Sequence, residues 1–463
     1  MRDVVVLIPG ITGSVLAKDG RELWAPTPGA ALAAVLSLGG SIKKLQLDGD
    51  DPDADDLGDG VVATRLVPDL HVLPGLDWKI DGYTRFRTEV TGRFGALPGE
   101  NYFEFPYDWR RDNRVAARGL ARRAHDWLAR WREKSGNDDA QLILVCHSMG
   151  GIVARLYLET LDGWRDTRTL VTFGTPYSGS VNALEFLVNG FRKGWGPLSV
   201  DLGALIRSFT SAYQLLPSYR CIEGPDGSWR NLDHEDIEWS GTAVDGAKVR
   251  DAVDLHRQLR ARVDERLRAG DLGYDVRPVI GDFQRTRWAA RFTGNRIESL
   301  WTRGPDESGG DGTVPKLSAI PHEAMEGWRN AAFVGQRHAS LQNDGPVLDH
   351  FGGLLTAQRL APPDVFPAER EAVSLEVDDI TDLEPMVIRA RTEAENAVLT
   401  ATVEGADGWR REIPLHGDGW QVATIEGLAA QDYRITVYGN GVRPVTDVAS
   451  VVDLGAVERA ALM

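Results

Sequence analysis

The sequence contains 463 residues, 42% of them hydrophobic and 26% charged, which is enough apolar material for a large core and for two or three domains. This composition excludes a disordered chain, a collagen and a coiled coil. Lysine and arginine together number 52 against 68 aspartates and glutamates, and the net charge of −16 repels phosphate backbones, so nucleic acid is not expected as a partner.

Cysteine content and the start of the sequence lead to expectations about the cellular compartment. The two cysteines, Cys146 and Cys221, allow at most one disulfide, which is typical of a reducing cytosol. Met1 is followed almost at once by a strand-like run without the pattern of an export signal, and no window reaches the roughly 20 apolar residues of a membrane span. We expect a cytoplasmic protein, at most peripherally bound to a membrane, and 44 arginines against 8 lysines favour a bacterial source with GC-rich DNA.

Up to about residue 360, short runs rich in β-branched residues alternate with longer amphipathic stretches. This rhythm predicts a catalytic domain, residues 1–360, built on a parallel sheet covered by helices. The predicted strands are 4–8, 141–146, 170–173, 276–280 and 331–334, and the predicted helices are 114–134 and 151–160.

Two long segments, 22–85 and 182–268, interrupt this rhythm and are predicted to be caps over the carboxyl ends of the strands. The first contains a small-residue stretch, 29–42, interpreted as a surface or lid helix. It also contains an acidic run, 48–59, which lacks the glycine and glutamate of an EF-hand loop, so a solvated loop and no metal site are predicted. The aromatic residues of the second segment fit an acyl-chain pocket and a plain core equally well.

Beyond a proline-rich linker at 361–372, the pattern predicts an all-β domain, residues 373–463. Alternating strands separated by Gly, Asp and Asn turns are expected at 386–391, 398–403, 410–415, 420–425 and 433–437. Tyr433, following Gly427 and Leu428, fits the tyrosine corner of an immunoglobulin-like sandwich. Residues 364–463 carry 19 acidic and 8 basic side chains, so most of the net charge lies here.

The sharpest chemical signal is the string LILVCHSMGGIVAR at 142–155, an apolar strand, a tight turn and a helix with Ser148 at the turn. Such a nucleophile elbow needs small neighbours so that a strained serine can present its hydroxyl above the sheet, and Gly150 and Gly151 meet this need. Cys146 stands where glycine is usual. The alternative is a serine that only caps a helix.

A serine needs a histidine base and an orienting acid, and in hydrolases of this topology the chain order is serine, acid, histidine. His338, just after the predicted strand 331–334, is the expected base, whereas His322 and His350 fit worse. Asp311, in the glycine-rich turn GDGTVP, is the expected acid, and Asp282, which also follows a strand, is its rival.

The negative oxygen that forms when a serine attacks an ester requires two backbone N–H donors. Met149, directly after the nucleophile, is expected to supply one. The turn PGITGS at 9–14, directly after the first strand, is expected to supply the other from Ile11.

These strings together resemble the lecithin:cholesterol acyltransferase-like lipases and acyltransferases. The matching strings are PGITGS (9–14), PYDWR (106–110), HSMG (147–150), FGTP (173–176), GDGTVP (310–315) and His338. The resemblance implies an α/β-hydrolase fold, a triad of Ser148, Asp311 and His338, and an oxyanion hole formed by Ile11 and Met149. It also implies a lipid ester as substrate, with the fatty acid released to water or passed to an alcohol.

We therefore expect a serine esterase that works through an acyl-enzyme on a lipid ester, with a glycerophospholipid as the expected substrate and no cofactor or metal. The alternatives are a small-molecule carboxylesterase or amidase, and a binding protein that keeps the hydrolase fold without turnover. Asp108 and Arg110 are expected either to contact a lipid headgroup or to form a structural ion pair. The caps and the acidic β-domain suggest a regulated intracellular phospholipase with a regulatory protein partner.

Overall fold

The computed structural model of the chain describes residues 1–24, 43–68, 71–72, 79–190, 192–193, 200–303, 306–307, 309–324, 331–356 and 371–453. The predicted helix at 29–42 and most of the predicted linker at 361–372 lie outside these residues. Among the residues described, no helix is both long and apolar enough to cross a bilayer.

A wholly parallel sheet of six strands is the centre of the first domain. The strands are β1 (Val4–Ile8), β2 (Tyr102–Glu104), β3 (Leu142–His147), β4 (Thr167–Phe173), β5 (Asp275–Gly281) and β6 (Ala332–Val334). They lie in the order β6-β5-β4-β3-β1-β2. The five predicted strands are confirmed within a few residues at their ends, and β2 was not predicted because only three residues form it.

Helices cover both faces of this sheet, which is why its strands are continuous apolar runs. The longer helices are α1 (Thr84–Phe94), α2 (Asn113–Ser135), α3 (Gly150–Thr160), α4 (Val181–Asn189), α5 (Gly246–Ala269) and α6 (Gly345–Thr356). Alternate residues of β1 point to opposite faces: Val4 and Val6 join a core with α2, α3 and α5, whereas Val5 joins a core with α1 and α6.

The second predicted cap segment, 182–268, contains a crossover helix as well as irregular chain. Its last part is α5, which packs against α3 and leads from β4 into β5. The cap aromatics Phe186 and Trp239 are buried in the core beside α3, so for these two the core interpretation is the observed one. Phe191 and Trp195 lie outside the described residues.

Short elements fill the remaining connections. The short strands are Ser14–Lys18, Arg21–Trp24, Val61–Leu66, His71–Val72, Lys79–Ile80, Arg192–Lys193, Val200–Asp201, Ile222–Glu223, Trp229–Arg230, Ala289–Thr293, Arg296–Leu300, Thr302–Arg303 and Asp306–Glu307. The short helices are Gly203–Ser208, Thr210–Tyr213 and Lys316–Ala319, with 3-10 turns at Lys43–Leu45, Gly163–Asp166, Trp239–Gly241, His322–Ala324 and His338–Asn343.

The acidic run at 48–59 is not the purely solvated loop that the sequence predicts, because two arginines just before α2 bind it. Asp50 pairs with Arg111 at 3.0 Å, and Asp59 pairs with Arg110 at 2.8 Å. The Arg110 side chain has 0% exposure and also bonds to the Asp108 carboxylate, at 2.6 Å. Of the two roles expected for Asp108 and Arg110, the structural ion pair is the one observed.

The C-terminal residues form two packed β-sheets. The strands are β7 (Val373–Val377), β8 (Ile380–Thr381), β9 (Met386–Thr392), β10 (Leu399–Gly405), β11 (Arg410–Pro414), β12 (Gln421–Ile425), β13 (Asp432–Gly439) and β14 (Val445–Val452). The sheet β7-β9-β12 and the sheet β8-β14-β13-β10-β11 share one hydrophobic core, and every pair except β8 with β14 is antiparallel. The Tyr433 hydroxyl donates to the Ala429 carbonyl oxygen at 2.9 Å, as in a tyrosine corner. The immunoglobulin-like arrangement itself stays a prediction.

Candidate active site

Ser148 stands in a strained turn between β3 and α3. Its φ of 51° lies in the left-handed region, which a residue with a Cβ rarely adopts. The turn is fixed by the Ser148 N–H, which donates to the Phe173 carbonyl at 2.8 Å, and by the Gly151 N–H, which donates to the Ser148 carbonyl at 3.0 Å. A Cβ on Gly150 would approach the Ile8 and Pro9 carbonyl oxygens to 2.6 Å, so α3 can begin here only with glycine. The strand, turn and helix expected of a nucleophile elbow are therefore present.

The structure brings the three predicted triad side chains together. His338 Nε2 lies 2.9 Å from Ser148 Oγ, and His338 Nδ1 lies 2.7 Å from Asp311 Oδ2. Their loops also bond to each other, because the His338 N–H donates to the Asp311 carbonyl oxygen at 2.9 Å. Ser148 is 7% exposed and Asp311 1% exposed, so the hydrogen bonds are shielded from most of the solvent.

The Asp311 carboxylate is held from the side opposite to His338. Its other oxygen, Oδ1, accepts the N–H groups of Thr313 and Val314 at 2.9 and 2.6 Å. A carboxylate accepts only, so the His338 proton sits on Nδ1 and the Nε2 lone pair faces the Ser148 hydroxyl. This tautomer is the one in which imidazole can take a proton from the serine.

The rival residues occupy other surroundings. The Asp282 carboxylate lies 2.9 Å from Lys316 Nζ and does not face His338. His322 bonds to Asp264 at 2.8 Å, and His350 lies on α6. The structure therefore groups Asp311 and His338, and neither rival histidine, with Ser148.

The two expected oxyanion donors lie next to the serine. The turn after β1 packs so closely on Ser148 that a Cβ on Gly10 would meet the Ser148 Cβ at 2.9 Å. Ile11 belongs to this turn, and Met149 directly follows Ser148 at the start of α3. Within the described part of the chain, neither N–H donates to a protein acceptor, so both are available to a substrate oxygen.

Two residues of the site were missed by the sequence analysis, Tyr83 and His147. The Tyr83 hydroxyl accepts the Gly10 N–H at 3.1 Å and lies 3.0 Å from His147 Nδ1, while His147 Nε2 lies 3.1 Å from the His338 carbonyl oxygen. A carbonyl only accepts, so His147 donates from Nε2 and accepts the Tyr83 hydroxyl proton at Nδ1. A chain of hydrogen bonds therefore joins the oxyanion turn to the histidine loop.

Burial keeps His147 and Tyr83, the two side chains of this hydrogen-bonded row, uncharged. It lowers the pKa of His147 to about 3, with the nearby His338 acting in the same direction, so His147 is neutral at physiological pH. Burial likewise raises the pKa of Tyr83, so the phenol keeps its proton. His147 lies in the motif string HSMG, so the sequence could have indicated it as a residue of the site, whereas no sequence pattern marks Tyr83.

A cleft of about 320 Å³ between the two domains reaches His338 and Asp311. One wall carries Arg285, whose guanidinium carbon lies 4.5 Å from the centre of the Trp301 ring. The other wall, from the C-terminal domain, carries Trp420 and several carboxylates. In the described residues, no cluster of histidine, cysteine and carboxylate side chains could hold a metal ion.

A family model and a curated relative each match part of the chain. The family model for lecithin:cholesterol acyltransferase matches residues 76–254. The uncharacterized protein YJR098C of Saccharomyces cerevisiae is 28% identical over 177 residues, which are 37% of this chain and 23% of the yeast protein. The alignment thus spans less than a quarter of that relative.

Among solved structures, the Tle4–Tli4 complex aligns with 76% of this chain and 97% of its own, at 16% identity and a TM-score of 0.48. Phospholipase PlaB from Legionella pneumophila aligns with 84% of this chain and 92% of its own, at 10% identity and a TM-score of 0.32. Bacillus licheniformis lipase BlEst2 aligns with 96% of this chain and 73% of its own, at 13% identity and a TM-score of 0.31. The family-model match over residues 76–254 confirms the resemblance to lecithin:cholesterol acyltransferase-like enzymes that the sequence motifs indicate.

Proposed function

We propose that this chain is a serine esterase that cleaves the acyl ester of a lipid, expected to be a glycerophospholipid, and passes the acyl group to water or to an alcohol. The observation that carries the proposal is the continuous hydrogen-bonded row of Ser148, His338 and Asp311, with separations of 2.9 and 2.7 Å. The lipid part of the proposal is supported by the family model that matches around Ser148.

In the proposed reaction, Ser148 Oγ attacks the ester carbonyl carbon while His338 Nε2 takes the hydroxyl proton. Asp311 holds the imidazole and stabilises its positive charge, and the N–H groups of Ile11 and Met149 bind the negative oxygen. Collapse of this intermediate breaks the ester bond, and His338 returns the proton to the leaving alcohol. Water or a second alcohol then attacks the acyl-serine while His338 takes its proton. His338 returns this proton to Ser148 as the acyl-serine bond breaks.

Labelling with a fluorophosphonate, followed by profiling of lipid products, tests the proposal. The unaltered chain should be labelled and should release fatty acid from phospholipid, whereas Ser148→Ala should lose both properties and keep its fold. Ser135→Ala, at the exposed end of α2, is the control that should behave as the unaltered chain. Cleavage of short esters alone would favour a small-molecule carboxylesterase, and absence of labelling and turnover would favour a binding protein.

The organisation of the chain and its setting belong to the same proposal. We infer two domains, 1–360 and 373–463, joined by a linker. The second domain is an immunoglobulin-like sandwich whose acidic surface binds a regulatory protein. The enzyme acts at the cytoplasmic side of a membrane. The 19 acidic against 8 basic side chains in residues 364–463 favour a basic partner. Limited proteolysis should cut first in the proposed linker at 361–372, and cell fractionation should find the chain in cytosol and membrane fractions.

A further inference from the structure

The loop that carries His338 contacts the C-terminal domain directly, and the loop that carries Asp311 is connected to it through Gln284 and Arg337. The base loop, residues 335–339, follows β6 and contains His338, and the acid loop, residues 309–315, contains Asp311. Neither loop is part of a strand of the central sheet, and His338 itself begins the 3-10 turn His338–Asn343, so the sheet alone fixes only the points from which the loops start. The contacts that hold the loops therefore matter for the position of the imidazole.

The base loop is bound on both sides of His338 by strand β14. The Arg337 guanidinium lies 3.0 Å from the Asp447 carboxylate, which is 1% exposed. The Gln336 side chain accepts the Thr446 N–H at 2.9 Å. On the other side of His338, Ala339 packs against Val448. Three consecutive residues of β14 therefore contact the loop directly around the base.

The ion pair also reaches the acid loop. Gly312, next to Asp311, has a φ of +92°, and a Cβ placed on it would come within 2.6 Å of the Arg337 guanidinium. The guanidinium thus lies directly against the acid loop while its Nε pairs with the Asp447 carboxylate. Asp447 therefore fixes Arg337 between the two loops.

Gln284, which is 1% exposed, forms a second connection. Its side-chain nitrogen donates to the Gly335 carbonyl at 3.2 Å and to the Val373 carbonyl at 2.8 Å, and its side-chain oxygen accepts the Leu375 N–H at 3.1 Å. Its backbone N–H donates to the Gly310 carbonyl at 3.0 Å. One buried residue thus joins the base loop, the acid loop and strand β7.

We propose that the C-terminal β-domain is part of the catalytic machinery, with Asp447 and Gln284 as positioning residues that hold the His338 and Asp311 loops in register with Ser148. The proposal rests on the proposed esterase function. A domain that only covered an apolar face would contact the sheet or its helices through apolar side chains. The contacts described above are instead mostly polar and buried, and they lie beside the triad, where a displacement of about 1 Å can slow a reaction on the order of 10²-fold.

The test compares Asp447→Asn with Glu384→Gln in the full chain. Glu384 is a matched control, because its carboxylate accepts two hydrogen bonds from Thr381 within its own turn of the same domain. We expect Asp447→Asn to lower kcat for a soluble short-chain ester and the rate of fluorophosphonate labelling by about 10- to 100-fold. KM and Tm should stay close to those of Glu384→Gln. The double variant Arg337→Gln, Asp447→Asn restores a neutral hydrogen-bonding pair and should recover part of the rate.

Hydrogen–deuterium exchange provides a readout that does not depend on activity. Exchange of the 335–340 and 310–315 amides should rise in Asp447→Asn and not in Glu384→Gln. Equal labelling rates and equal exchange in the two variants would overturn the positioning role. If the unaltered chain is neither labelled nor active, the esterase proposal fails, and the exchange comparison still decides whether β14 holds the loops.

Discussion

At the scale of single residues, the hydrogen-bonded row of Ser148, His338 and Asp311 predicts which substitutions should lower kcat most. His338→Ala removes the base, and Asp311→Asn keeps the shape but favours the wrong imidazole tautomer, so each should lower kcat by about 10⁴-fold. Asp282→Asn is the matched control, because that carboxylate faces Lys316 and should leave most activity. Steady-state hydrolysis of a soluble ester measures all three, and the reverse ranking of the two aspartates would contradict the assignment of the acid.

The Tyr83 hydroxyl should affect the rate without touching the substrate. Tyr83→Phe removes the acceptor of the Gly10 N–H and leaves His147 Nδ1 unpaired, which costs about 1–3 kcal/mol of stability. The loosened oxyanion turn should lower kcat about 10-fold while KM stays the same. Kinetics on the variant check this, and an unchanged kcat together with lowered Tm would show that the hydroxyl serves stability alone.

His147 should make the fold sensitive to acid. Its pKa is about 3 in the folded chain and near 6.5 when unfolded, so the unfolded state binds the extra proton between these values. The stability it contributes is therefore complete above about pH 6.5 and is lost as the pH falls towards about 3, by on the order of 1.4 kcal/mol per pH unit. Denaturant unfolding at several pH values should show a shallower acid slope in His147→Asn, and an equal slope would contradict a buried neutral imidazole.

At the scale of elements, the site is assembled from turns at the carboxyl ends of parallel strands, and close packing makes those turns intolerant of added atoms. Gly10→Ala would place a Cβ 2.9 Å from the Ser148 Cβ and displace the oxyanion turn. We expect kcat to fall by about 10²-fold or more. Gly92→Ala, in α1 with open space around it, is the control and should raise Tm slightly. Loss of activity in the Gly92 variant as well would point to a general effect on folding.

The elements that the sequence predicted well are those with one dominant physical cause. Strands β1 and β3 are buried on both faces, so unbroken apolar runs mark them, and the elbow at Ser148 needs glycines that are visible in the string. Helix α5 was not recognised because its few apolar positions, such as Val249 and Val253, stand among many charged residues. Strand β14 was missed although it is buried, because Asp447 interrupts its apolar pattern.

At the scale of the whole molecule, the arrangement of the two domains could not be predicted, because buried polar side chains form much of their contact. Gln284, Gln336 and Asp447 look like surface residues in the sequence, and no periodic pattern marks them as buried. Only the folded chain brings them to residues about 90 to 110 positions away. The sequence could therefore predict the triad but not what holds it.

A second ion pair between the domains should contribute to stability. Arg434 bonds to Asp81, whose pKa is raised by burial and lowered in part by this arginine. Arg434→Met leaves the buried Asp81 carboxylate without this partner and should lower the free energy of unfolding by about 2–3 kcal/mol. This loss is smaller than that for a fully buried ion pair, because Arg434 is partly exposed. The double variant Asp81→Asn, Arg434→Met should recover most of the loss. Denaturant unfolding of Arg434→Met, Asp81→Asn and the double variant measures the coupling, and additive losses would contradict it.

The distance along the chain between Arg337 and Asp447, 110 residues, has a consequence for biosynthesis. At about 5–20 residues per second, the ribosome makes β14 roughly 5 to 20 s after it has made the base loop. During this interval the sheet, Ser148 and His338 all exist, but the loop that carries the imidazole still lacks its contacts with β14. Given the proposed positioning role, full esterase activity is expected only after β14 has folded onto the loop, and a chain that stops between these two points should be at least about 10-fold less active.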